Sequence, residues 1–116
     1  MKPSKTRTVV ILGGALSGPA AATRARETDE KARIILLERN TRVSYAVGGL
    51  AYHLSGEVGS SSDLDRERAD FFESNYRIEV RAQTEAVRLD PKKKICEIKS
   101  ASGSPEILSY DALVFA

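Results

Sequence analysis

Gly13-Gly14-Ala15-Leu16-Ser17-Gly18 follows directly on an apolar run, Thr8-Val9-Val10-Ile11-Leu12, and an acidic residue, Glu38, ends the next apolar run. Glu38 stands about 20 residues past the last glycine, the spacing of a dinucleotide-binding βαβ unit. The chemistry is recognition rather than bond making. Gly13 allows a tight turn off the strand, Gly18 lets the following helix pack close to the sheet, and Glu38 can accept a hydrogen bond from a ribose hydroxyl. A pyrophosphate would sit on the helix N-terminus, where backbone N–H groups are unspent. The middle glycine, which lets backbone approach the pyrophosphate, is replaced by Ala15, the smallest possible substitute.

Other reactive side chains are sparse. The single cysteine, Cys96, excludes an intrachain disulfide and a cysteine-rich metal site, and fits a reducing cytoplasm. It sits on an alternating strand, so it reads as a structural thiol. His53, Tyr45 and Tyr52 fall on one segment, where packing is the ordinary role. Arg24 and Arg26 read as a solvated helix face, and Lys92-Lys93-Lys94 after Asp90-Pro91 as a solvated hairpin turn. No catalytic or metal-ligating set emerges.

These groups need a scaffold. Residues 8–12 read as a buried parallel strand and 16–28 as a helix, with Pro19 tolerable in its first turn and alanines 20, 21, 22 and 25 permitting close packing. Residues 32–37 form a second continuously apolar strand, as strands buried on both faces do. A short helix is expected over 50–54, and a longer one over 64–74 with Phe71 and Phe72 on its buried side. A third parallel strand follows over 76–80. The pattern then changes to period-two alternation over 85–90, 94–99 and 105–109, an antiparallel meander. Residues 110–116 return to a buried parallel strand. The fold class is α/β: a Rossmann-like parallel sheet with a three-stranded antiparallel β-meander insertion.

At 116 residues the chain is one domain, short for a complete dinucleotide-binding enzyme, and it reads as truncated in mid-architecture. Hydrophobic content of 41%, charged content of 29% and a net charge of +2 describe an ordinary globular domain, with no nucleic-acid partner implied. No signal peptide and no run of membrane-spanning length is evident, so no membrane partner is expected.

Four segments together resemble the pyridine nucleotide-disulfide oxidoreductases, most closely their coenzyme A-disulfide reductase and NADH oxidase branch. They are residues 9–14 (Val-Val-Ile-Leu-Gly-Gly), 24–30 (Arg-Ala-Arg-Glu-Thr-Asp-Glu), 43–52 (Val-Ser-Tyr-Ala-Val-Gly-Gly-Leu-Ala-Tyr) and 109–116 (Ser-Tyr-Asp-Ala-Leu-Val-Phe-Ala). The resemblance implies that the first βαβ unit binds FAD, with Arg39 beside the adenine and Ser44 matching the family loop. The cofactor-binding set is then Gly13, Gly14, Ala15, Ser17, Gly18, Glu38, Arg39 and Ser44. It also implies NAD(P)H as reductant, bound by a domain outside this chain, an electron acceptor of unknown kind, a dimerisation domain and a homodimeric parent.

In one loop the chain departs from that family. Members of the branch read Ser-Phe-Ala-Asn-Cys-Gly-Leu-Pro-Tyr, and here Gly48 occupies the position of the redox cysteine. A glycine cannot form a thiolate or a mixed disulfide. The expectation is an FAD-binding N-terminal portion, residues 1–116, of a flavoprotein oxidoreductase whose second step avoids cysteine, the fragment itself being inactive. The alternatives are a nucleotide-binding or interaction module that has lost turnover, and a free-standing NAD-binding domain.

Overall fold

The computed structural model describes residues 5–44, 54–57, 59 and 69–116. Strand β1 (Thr8–Leu12), helix α1 (Ser17–Thr28) and strand β2 (Arg33–Leu37) form the first unit. Helix α2 (Ala69–Tyr76) and strand β3 (Ile78–Arg81) follow, then β4 (Thr84–Asp90), β5 (Ile95–Ser100), β6 (Pro105–Ser109) and β7 (Ala112–Phe115). The parallel sheet has the order β3-β2-β1-β7, and β4-β5-β6 form a separate antiparallel meander. In β1, Ile11 lies opposite Leu36 of β2 on one side and Val114 of β7 on the other.

The continuous apolar character of β1 and β2 follows from two cores. Val10, Leu12, Ile35 and Leu37 point to the meander and meet Cys96, Ile98 and Leu108. Ile11, Ile34 and Leu36 point the other way, against Ala22 of α1, Phe72 of α2 and Ile78. Alternate residues of one strand thus fill opposite cores, which leaves no polar face. Each fully buried aliphatic side chain contributes about 1.5–3 kcal/mol. Of the alanines of α1 only Ala22 is buried; Ala21 and Ala25 are partly buried against the sheet, and Ala20 faces out.

Several boundaries differ from the sequence reading. Tyr76 ends α2 instead of opening β3, because Arg77 adopts a left-handed φ of 51° and its N–H closes the helix on Glu73 O. Phe71 is half-buried, and its ring packs edge-on against Phe72. Lys94, at φ 53°, lies in the turn before β5, where Asp90 Oδ1 accepts the Lys92 and Lys93 N–H groups. Tyr110 and Asp111 precede β7: Asp111 N–H bonds Thr8 O, and its carboxylate accepts the Thr8 N–H at 2.7 Å. The expected start of α2 at Leu64, and all but the last residue of the expected helix at 50–54, lie outside the described residues.

Arg26 overturns its reading as a solvated side chain. It is buried, and its guanidinium donates to Tyr76 O (2.7 Å), Arg77 O (3.0 Å), Glu30 O (2.9 Å) and Asp29 O (3.2 Å). Burial lowers its pKa from the ordinary arginine value; the like charge of Arg77 adds to this and Asp29 opposes it. Arg24, by contrast, is exposed and pairs with Glu27 at 3.2 Å.

Candidate functional site

The glycine turn is locked from two sides. Gly13 holds φ 103°, donates to Leu37 O at 2.9 Å, and has no room for a side chain because a Cβ would run into the carbonyl oxygen of Ala116. Gly18 faces the same restriction from the turn itself: a Cβ there would overlap Gly13 O and lie 3.1 Å from Leu36 Cδ1. Helix α1 therefore starts in contact with the turn, its N-terminus aimed past the carboxyl ends of β1 and β2. Its N-cap, Leu16, makes no side-chain capping bond, and the first turn carries no acidic residue. The helix end consequently keeps unspent N–H groups and a partial positive charge of about half an elementary charge.

A cavity of about 390 Å³ opens over this end of the sheet. Gly13, Gly14, Ala15 and Ser17 line one side, and Glu38 and Arg39 another. Glu38 is only 8% exposed, yet its Oε2 is buried with no hydrogen-bond partner, the one such side-chain atom among the described residues. An unpaired buried acceptor costs about 1–3 kcal/mol, more when charged. A donor placed in the cavity would relieve that cost. Arg39 is exposed beside it.

The structure thus brings six of the eight sequence-derived residues to one cavity. Gly18 and Ser44 stand behind its wall. Ser44 is buried at φ 54°, and its N–H bonds Gly14 O at 2.7 Å, tying the loop after β2 to the glycine turn. Tyr45, Gly48, Tyr52 and His53 lie outside the described residues. Cys96 is 0% exposed beneath the sheet, and burial, with Glu97 nearby, raises its pKa above the ordinary thiol value.

Sequence reasoning missed the rest of the cavity wall, to which Thr84, Glu85 and Ala86 of β4, Phe115 of β7 and Ala116 after it contribute. No motif marks Thr84, Glu85 and Ala86; they reach the site because β4 starts beside the end of β2. Three backbone bonds join the segment after β2 to the β3–β4 turn: Glu38 N–H to Arg81 O (3.0 Å), Thr84 N–H to Glu38 O (2.9 Å) and Gln83 N–H to Asn40 O (2.9 Å). A larger groove, about 650 Å³, lies between α1 and β7, lined by Val9, Ala21 and Ala112 together with the charged Arg7, Arg24 and Asp29. It contains no unpartnered buried polar side-chain atom among the described residues. In open parallel sheets ligands bind outside the carboxyl ends of the strands, which favours the Glu38 cavity. Among the described residues no cluster of His, Cys, Asp and Glu could hold a metal ion, and no helix is long and apolar enough to cross a membrane.

The pyridine nucleotide-disulphide oxidoreductase family matches the chain over residues 7–116. The chain belongs to that family. Curated members similar to it include the coenzyme A disulfide reductase of Staphylococcus haemolyticus, 22% identical over 95% of this chain and 25% of its own length. The NADH oxidase of Lactococcus lactis is 27% identical over 93% of the chain and 24% of its own. Among solved structures, reduced Bacillus anthracis CoADR-RHD superposes with a TM-score of 0.90 at 25% identity, covering 98% of this chain and 21% of that one. The NAD-dependent persulfide reductase from A. fulgidus gives 0.86 at 33% identity, covering 93% and 20%. The chain therefore spans about a quarter of the curated pyridine nucleotide-disulphide oxidoreductases it matches. It keeps their Rossmann-type core of a parallel sheet with an antiparallel meander.

Proposed function

We propose that residues 1–116 form the part of an NAD(P)H-dependent flavoprotein oxidoreductase that holds the adenosine diphosphate half of FAD. The buried, unpartnered Glu38 Oε2 and the uncapped start of α1, which share one cavity with the Gly13 turn, carry this reading. The first lacks a donor and the second an anion, and an adenosine diphosphate supplies both: ribose hydroxyls for Glu38 and a pyrophosphate for the helix end. Arg39 and the Thr84–Ala86 edge would flank the base. Ser44 would hold the glycine turn by its backbone. When bound, FAD would accept reducing equivalents from NAD(P)H and pass them to an acceptor.

The residues in hand position a cofactor and supply no nucleophile. Gly48 stands where the family resemblance places a redox cysteine, and the one thiol of the chain, Cys96, is sealed in the core. The second half-reaction therefore does not pass through a cysteine of this segment; dioxygen, a quinone or a protein carrier would take the electrons directly. NADH-binding and dimerisation domains belong to other parts of the parent, which this reading makes a cytoplasmic homodimer. The isolated segment is silent in turnover.

Titration of the chain with FAD, ADP and NADH tests the assignment. Saturable binding of FAD and ADP, weakened about 10- to 100-fold by Glu38→Gln, is expected from the loss of a charge-assisted hydrogen bond. Saturable NADH binding without FAD binding would favour a free-standing NAD-binding domain instead.

A further inference from the structure

The geometry points to the β3–β4 turn, residues 81–84, as the element that positions Glu38 for its ribose, with Thr84 as the positioning residue. The proposal rests on the reading that the cavity takes an adenosine diphosphate.

Glu38 lies one residue beyond β2, where the ladder to β3 ends. Its backbone is nevertheless held on both sides, its N–H by Arg81 O at 3.0 Å and its carbonyl by Thr84 N–H at 2.9 Å. Gln83 N–H takes Asn40 O at 2.9 Å, so residues 38 to 40 are fixed by one tight turn. That turn holds an unfavourable conformation. Gln83 sits at φ 49°, in the left-handed region that a side chain other than glycine, asparagine or aspartate seldom adopts. What offsets the strain is local: Thr84 is buried, and its Oγ1 donates to Ala82 O at 3.0 Å, closing the turn around Gln83. Thr84 also lines the cavity beside Glu38. A buried carboxylate that must meet a hydroxyl within hydrogen-bond distance depends on such a brace, because a shift of a few tenths of an ångström weakens the bond.

The test compares ADP with 2′-deoxy-ADP by calorimetric titration of the chain. Wild type should prefer ADP about tenfold or more, the worth of one charge-assisted hydrogen bond. Thr84→Val should reduce the preference to within about threefold, and Thr84→Ser should restore it. A Thr84→Val chain that keeps the wild-type preference, or weakens both nucleotides by one factor, overturns the positioning role. If that variant does not fold, amide exchange in the wild type decides. ADP should slow exchange at Glu38, Gln83 and Thr84 beyond what 2′-deoxy-ADP does at equal saturation, and equal slowing overturns the proposal. A wild-type chain that binds neither nucleotide instead refutes the cofactor assignment on which the proposal rests.

Discussion

Replacing Arg26 by methionine should be among the most damaging single changes outside the glycine turn. Methionine keeps the apolar stem of the side chain and removes the guanidinium, which bonds carbonyls at the ends of both helices: Asp29 and Glu30 after α1, Tyr76 at the end of α2 and Arg77 just past it. Two of the four keep another donor. Glu30 O is also bonded by Arg77 Nη2 at 3.0 Å, and Asp29 O by Ala32 N–H at 3.4 Å. The loss falls on Tyr76 O and Arg77 O, and at about 1–3 kcal/mol for each acceptor left unsatisfied the expected cost is about 3 kcal/mol. In a domain of this size that lowers Tm by about 10 °C. Arg26→Lys keeps the charge but loses the planar fork that reaches four oxygens, so it should fall between methionine and wild type. Urea unfolding followed by circular dichroism gives both values. An Arg26→Met stability within about 0.5 kcal/mol of wild type would refute the argument, since surface substitutions give changes of that size.

Gly18→Ala should disturb the site more than an alanine in a helix ordinarily would, because its Cβ meets the Gly13 carbonyl; loss of ADP binding together with a lower Tm is the expected pair of results. Glu79 is held below the usual carboxylate pKa: burial pushes it up, but hydrogen bonds and charges from Arg81 and Arg33 outweigh that. Its contribution is therefore present above an unfolded pKa near 4.5 and is lost as pH falls through the lower folded value. Glu79→Gln should accordingly cost less than about 1 kcal/mol near neutrality, the pair being partly exposed, and nothing once the pH is below both values. Cys96 has the opposite sign. Its raised pKa keeps the folded thiol neutral while the unfolded chain ionises, so stability should decline as pH rises above about 9, a decline that Cys96→Ala should remove. The native thiol should stay inert to an aromatic disulfide reagent until urea opens the core, and fast native reaction would contradict the burial.

The glycine turn, the acid at the end of β2 and the change from continuous to alternating strands were legible because each rests on local geometry. Gly13 needs a positive φ, β1 and β2 are covered on both faces, and the meander has one solvated face. What escaped was set by partners distant in the chain. Arg26 looks like any charged helix residue until its acceptors are known, and two of them lie 50 and 51 residues away. Arg77 and Gln83 adopt positive φ without a glycine to announce it, which displaced the α2–β3 boundary and hid the turn behind Glu38. Thr84 reaches the cavity only through the path of the whole sheet. The glycine motif and its acid pointed to the cavity; the backbone bonds around Glu38 follow only from the path of the sheet.

The central place of β1 also dictates an order of events. Its pairing with β2 is complete once residue 37 exists, but its other edge waits for β7, whose flanking Asp111 bonds Thr8 across 103 residues of chain. The meander, built from neighbouring hairpins, can form while that edge is still bare. On the ribosome, then, the strand made first is the last to be closed in, and the Gly13 turn acquires its cover from Ala116 only when this whole stretch has emerged. A nascent chain stalled before β7 would expose β1 as an open edge.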